Sequence, residues 1–219
     1  MDIKINNLTK KIKESVVLDN INLHMTSGKV YGLCGKNGSG KTMLMRALCG
    51  LIYPTSGEII LDDKILHKDI SFPGNIGILI ENPAFIPSYT AYENLKMLGS
   101  IKGGYNDEQI REALKSTGLD PDDKRTYKKY SLGMKQKLGI ANAVIGQPDI
   151  IILDEPLNAL DSESVVFIEN ILEKEKQRGS VIIIACHDKE ELDKLSDCKI
   201  FIENGRITEI IEREIWKCL

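Results

Sequence analysis

The sequence predicts an α/β fold: a parallel sheet covered by helices, with an antiparallel β portion and a helical insertion. Three observations predict it. Two continuous apolar runs, Ile150 to Leu153 and Val181 to Ala185, suit strands buried on both faces of a parallel sheet. A third run, Val30 to Cys34, leads through a glycine-rich turn into a helical stretch, Met43 to Cys49. Between two of the core strands, residues 84 to about 146 change to helical spacing. The 219 residues are enough for one sizeable core, so the expected unit is a single domain, 1–219, with a helical subdomain at about 84–146 inserted in it.

The elements follow in order. Residues 2–9 and 16–25 alternate as strands do, and the charged stretch Lys10 to Glu14 between them reads as a hairpin tip. Ser27-Gly28 is a turn before the Val30–Cys34 strand. After the first helix, residues 50–57 are dense in breakers, and Glu58 to Leu61 and Ile76 to Ile80 read as strands. Tyr92 to Leu98, Asp107 to Gly118 and Lys135 to Ile145 read as helices, with Asn106 as the N-cap of the second. A helix over Ser162 to Lys176 joins the two apolar strands, as a right-handed crossover requires. Lys199 to Ile202 and Arg206 to Ile210 flank Asn204-Gly205, a hairpin signal.

Composition excludes several classes. An apolar content of 42% with 28% charged residues is that of a soluble globular chain. A net charge of −3 argues against a general nucleic-acid binder. No apolar run approaches the ~20 residues of a membrane span, and the N-terminus has no signal-peptide core. Five cysteines without metal-like spacing read as reduced thiols, with Cys34 a buried core residue. The expected location is therefore the cytoplasm. The basic cluster Lys124, Arg125, Lys128 and Lys129 reads as a solvated loop or helix face.

The turn after Cys34 is Gly35-Lys36-Asn37-Gly38-Ser39-Gly40-Lys41-Thr42, which fits G-x-x-x-x-G-K-[ST] in the strand–loop–helix setting that the motif needs. Glycines let successive N–H groups curl inward into a nest for phosphate oxygens, and the helix N-terminus adds partial positive charge. Lys41 would reach the β- and γ-phosphates of a nucleoside triphosphate, and the Thr42 hydroxyl would ligate Mg²⁺. Ile150 to Leu153 ends in Asp154-Glu155 at the C-terminal end of a buried strand, where ligands bind in open α/β sheets. Asp154 is placed to hold Mg²⁺. Glu155 is expected to point the other way and polarise an attacking water. Ser131, at a helix start in Tyr130-Ser131-Leu132-Gly133-Met134, is on local sequence simply an N-cap.

The order of these elements, with Asn158-Ala159-Leu160-Asp161 and His187 beyond them, resembles the ATP-binding subunit of ABC transporters over nearly the whole chain. The resemblance implies that Gly35 to Thr42 are the Walker A loop, binding ATP through Gly35, Asn37, Gly38, Ser39, Gly40, Lys41 and Thr42. It implies that Asp154 and Glu155 end the Walker B strand, that Tyr130 to Met134 are the signature motif, that 158–161 are the D-loop and that His187 is the switch histidine. Glu81 stands at the Q-loop position, as a possible metal ligand beside Thr42 and Asp154. Ile12 stands where the family has an adenine-stacking aromatic residue. Two such subunits dimerise head to tail in this family, so Ser131 and Gly133 would bind the γ-phosphate held by a second ATPase subunit, here a second copy. Glu155 and His187 would then be the catalytic residues of an ATPase.

Further features narrow the resemblance to the branch of bacitracin-resistance and lantibiotic-immunity exporters, whose short ATPase subunits serve separate integral membrane subunits on the inner face of the cell membrane. They are the run Tyr130 to Ala141 and the stretch from Ile76-Gly77 to Asn82-Pro83. Phe85 to Tyr92 is the expected contact with the membrane subunit, or else ordinary packing. The alternatives are a soluble ABC ATPase of iron–sulfur assembly and an importer ATPase. Three residues depart from the pattern: Ile12 offers only apolar contact to a base, Leu132 and Met134 replace a glycine and a glutamine in the signature, and Glu81 replaces the Q-loop glutamine.

Overall fold

Alternation and apolar runs sort the strands into two sheets. The computed structural model describes residues 1–81, 83–101, 103–186 and 189–213, residue 189 by its backbone alone. In the first sheet, β1 (Asp2–Ile12) and β2 (Ser15–Thr26) form an antiparallel hairpin; β1 runs further toward the tip than the sequence pattern suggests, through Lys10 to Ile12, and β2 one residue further at each end. On the other side of β1 lie β4 (Ser56–Leu61) and a two-residue strand, β5 (Lys64–Ile65), giving the order β2-β1-β4-β5.

The second sheet has six strands. Its members are β3 (Lys29–Cys34), β6 (Ile76–Leu79), β7 (Ile150–Asp154), β8 (Val181–Ala185), β9 (Cys198–Glu203) and β10 (Arg206–Glu212), in the order β10-β9-β3-β8-β7-β6. Five run parallel, and β10 folds back antiparallel on β9 through Asn204 and Gly205, both with positive φ. The final hairpin therefore extends the parallel sheet.

Burial explains the layers. Along β7, Ile150 and Ile152 face one core, with α1 (Lys41–Leu48) and the antiparallel sheet; Ile151 and Leu153 face the other. That second face is covered by α4 (Leu132–Val144), α5 (Ser162–Arg178) and α6 (Lys189–Leu195). Each fully buried Ile or Leu contributes about 1.5–3 kcal/mol relative to exposure, so a strand with apolar residues on both faces is stable only when covered twice.

The insertion contains α2 (Ala91–Ile101), α3 (Asp107–Ser116), a 3₁₀ turn at Tyr127–Lys129 and α4. Asn106 caps α3, as the sequence predicts, and the structure adds the reciprocal half of a capping box from Gln109. Helix α4 belongs to two cores. Ile140 and Val144 face the parallel sheet, while Leu138, Ala141 and Ile145 face α2 and α3. Phe85 packs edge-on against Tyr127 with ring centroids 5.3 Å apart, so it serves the insertion core. Lys124, Arg125, Lys128 and Lys129 are exposed, and Arg125 pairs with Asp123. Among the described residues no helix is long and apolar enough to cross a membrane.

Candidate active site

Strand β3 ends at Cys34, and the chain wraps through residues 35–40 before α1 begins at Lys41. Gly35 has to be glycine: a Cβ there would lie 2.3 Å from the Ile202 carbonyl oxygen and 2.6 Å from Ser39 Oγ. The final hairpin supports the loop from behind, with the Gly205 amide donating to the Ser39 carbonyl at 2.8 Å. Val17 of β2 closes one side of a cleft of about 370 Å³ lined by residues 37–43, Asp154 and Glu155.

The polar groups in this cleft converge. Lys41 is buried, and its ammonium donates to the Gly35 carbonyl (2.6 Å) and the Lys36 carbonyl (3.3 Å). Among the described residues its partners are main-chain carbonyls and no carboxylate. Thr42 Oγ1 donates to Asp154 Oδ2 at 2.9 Å, which brings two hard oxygen donors together across the gap between α1 and β7. Such oxygens suit Mg²⁺. Ser39 Oγ is buried and has no hydrogen-bond partner among the described residues. A buried hydroxyl left unsatisfied costs about 1–3 kcal/mol, so this loop fits a polar ligand that supplies the missing bond. The donor set suits a magnesium-bound nucleoside triphosphate.

Asp154 and Glu155 both line this space. Strand alternation predicts that they diverge, but the strand ends at Asp154 and Glu155 turns into the left-handed region at φ 51°. Its amide still donates to the Ala185 carbonyl at 2.8 Å. The reversal brings Glu155 into the lining of the cleft that Lys41 and Thr42 also line. Beyond it, Asp161 caps α5, and the hydroxyl and then the amide of Ser164 hold its carboxyl below the usual carboxylate range.

Other predicted residues stand elsewhere. Glu81 has φ 58°, lies outside the cleft lining and accepts from Arg46 Nη2 of α1 at 2.5 Å. Ile12 is exposed near the tip of the first hairpin and does not line the cleft; Val17 does. Ser131 caps α4, accepting from the Met134 amide at 3.2 Å, and it is exposed together with Leu132. Gly133 lies against the D-loop segment, where a Cβ would sit 2.7 Å from the Ala159 carbonyl oxygen. Neither Ser131 nor Gly133 reaches the cleft of its own chain. His187 lies outside the described residues. Sequence reasoning missed Gln136, whose Nε2 donates to the Glu155 carbonyl at 2.8 Å. Its place one helical turn beyond Gly133 was the available signal.

A glycine-lined phosphate-type loop between β3 and α1, facing a hydroxyl–carboxylate pair on an α/β sheet, defines a P-loop nucleotide-binding cassette. The model of the family described as ABC transporter matches residues 18–158, and the chain belongs to that family, as one of its ATP-binding subunits. YybJ of Bacillus subtilis (strain 168), an uncharacterized ABC transporter ATP-binding protein, is 48% identical over 98% of each chain. The lantibiotic transport ATP-binding protein SrtF of Streptococcus pyogenes is 39% identical over 97% of this chain and 90% of its own. The bacitracin transport ATP-binding protein BcrA of Enterococcus faecalis is 37% identical over 94% of this chain and 68% of its own. Among solved structures, the dimeric post-hydrolysis state of the ATP-binding cassette MJ0796, bound to ADP and Pi, superposes with a TM-score of 0.86 at 27% identity, covering 96% of this chain and 98% of that one.

Proposed function

We propose that this chain, as one domain, hydrolyses ATP as the motor subunit of a transporter that exports peptides of the bacitracin or lantibiotic kind through a separate membrane subunit. The observation that carries the ATPase reading is the cleft that gathers Ser39, Lys41, Thr42, Asp154 and Glu155. Lys41 and the loop amides bind phosphate oxygens, and Ser39 Oγ gains the partner it lacks. Thr42 and Asp154 hold Mg²⁺, which when bound would neutralise charge on the phosphates. Glu155 orients water and takes its proton, with His187 assisting. The relatives' names support the cargo class, and the dimeric MJ0796 structure supports a paired cassette.

The exposed N-terminus of α4, with Ser131 as its cap, supports a head-to-tail homodimer. A helix start binds anions through its unsatisfied amides, and this one lies outside the lining of its own cleft. Glu81 already pairs with Arg46 through Oε1, so metal ligation by that oxygen would compete with the pair. The test uses Glu155→Gln, which keeps nucleotide binding and removes the base. With saturating ATP and Mg²⁺, light scattering should report a dimer, and a tagged pull-down from detergent-solubilised cells should recover a multi-span membrane protein. A variant that remains monomeric refutes the homodimer, and recovery of soluble proteins alone refutes the transporter assignment.

A further inference from the structure

Glu155 occupies a conformation that a non-glycine residue adopts only when its surroundings hold it there, since the left-handed region costs roughly 1–3 kcal/mol. Among the described residues, three hydrogen bonds to its main chain hold it. Its amide donates to the Ala185 carbonyl at 2.8 Å, and its carbonyl accepts from the Asn158 amide at 3.3 Å. The third reaches the same carbonyl from a different part of the chain: Gln136 Nε2 on α4, at 2.8 Å. A carbonyl only accepts, so the amide nitrogen of Gln136 must face it.

Gln136 does not act alone on this segment. Gly133 lies one turn earlier on the same face of α4, against the carbonyl of Ala159, and Ala159 is the other left-handed residue of the segment 155–159, at φ 62°. Helix α4 therefore touches this short segment at both of its strained residues, once through a hydrogen bond and once through backbone contact. Side chains at 138, 140, 141 and 144 lock the helix into two cores, so it moves as a rigid body.

We infer that Gln136 is a positioning residue for Glu155, and that through it the signature end of α4 sets the hydrolytic competence of its own chain's site. The inference rests on the head-to-tail reading proposed above. In that arrangement Ser131, at the tip of α4, meets the nucleotide bound by the partner, while Gln136, on the flank, fixes Glu155 beside the chain's own nucleotide. One helix then links the two sites, and hydrolysis at each depends on occupancy of the other. Met134 and Leu132 leave this link intact, because neither supplies the hydrogen bond.

The experiment compares Gln136→Met, similar in length and without a donor, with Gln136→Lys, which keeps an N–H donor. Each is made in the parent and in Glu155→Gln, and turnover, the Hill coefficient for ATP and binding of a fluorescent ATP analogue are measured. Loss of one neutral hydrogen bond to the main chain of the reacting residue should lower kcat about tenfold in Gln136→Met, with analogue affinity changed by less than about twofold. The Hill coefficient should fall from above 1 to 1, and Gln136→Lys should restore most of the turnover. In Glu155→Gln the added Gln136→Met should change residual turnover by less than about twofold, because the residue it positions is gone. An unchanged kcat, a parallel loss of analogue affinity, or the same tenfold factor in the Glu155→Gln background would overturn the positioning role. A parent Hill coefficient of 1 would overturn the link between sites. A parent protein that binds no analogue and hydrolyses no ATP would instead overturn the functional reading, and this inference with it.

Discussion

Gly77 sits in the middle of β6, paired with Ile151 of β7, and its lack of a side chain sets how closely α4 lies on the sheet. A Cβ added there would fall 1.6 Å from the Ala143 carbonyl oxygen and 2.7 Å from the Ala143 carbonyl carbon. Ordinary carbon–oxygen contact needs about 3.3 Å, so Gly77→Ala demands a separation of about 1.7 Å. The obstacle is helix backbone, which cannot rotate aside as a side chain does. Either β6 buckles or α4 lifts, and α4 carries buried Leu138, Ile140, Ala141 and Val144 in two cores. Overpacking costs about 1–3 kcal/mol, and a main-chain clash belongs at the top of that range. For a chain of this size about 3 kcal/mol lowers Tm by roughly 6–12 °C. Gly74→Ala is the matched control, since nothing lies within 4 Å of its Cβ and its φ is not positive. It should stay within about 0.5 kcal/mol of the parent. Calorimetry of the three proteins decides the matter. A Gly77→Ala protein that melts within about 2 °C of the parent would refute the claim that β6 and α4 meet backbone to backbone.

Two more predictions follow from burial and exposure. Burial pushes the Cys49 thiol from its ordinary 9.0 up to about 12, so the folded protein keeps a proton that the unfolded chain releases. Stability from this group is complete below pH 9 and is lost as pH rises toward 12, by about 1.4 kcal/mol per unit once the unfolded thiol is ionised. Urea unfolding at pH 8, 9 and 10 should show a shallower decline for Cys49→Ala than for the parent; equal slopes would exclude the effect. Ile12 lies outside the cleft and offers no ring to stack on a base, so ATP and GTP should bind with similar affinity in a competition titration. A strong preference for ATP would mean that another residue reads the base.

What the sequence determined by itself lies in contiguous stretches whose physics is local. Val181–Ala185 reads as a buried strand because five apolar residues in a row can be covered only from two sides. Asn106 reads as a cap because it stands directly before a helical pattern, and Gly35 to Thr42 reads as a phosphate loop because eight consecutive residues supply its chemistry. The local reading weakens where signals are short or polar. Strand β5 has two residues, and α6 is a seven-residue run, Lys189–Leu195, rich in charge. Helix α4 begins three residues before the expected Lys135, since the Ser131 cap and not the apolar period sets its start.

Only the tertiary structure decided the rest. Asp154 and Glu155 share one cleft because the strand stops between them, a fact that alternation alone inverts. Glu81 meets Arg46 across 35 positions, Gln136 meets Glu155 across 19, and Gly77 meets Ala143 across the sheet–helix interface. Such pairs depend on how rigid elements pack, and no window of neighbouring residues encodes them. The loop that holds phosphate is written locally; the backbone contacts that aim the base at it exist only once α4 is laid on β6.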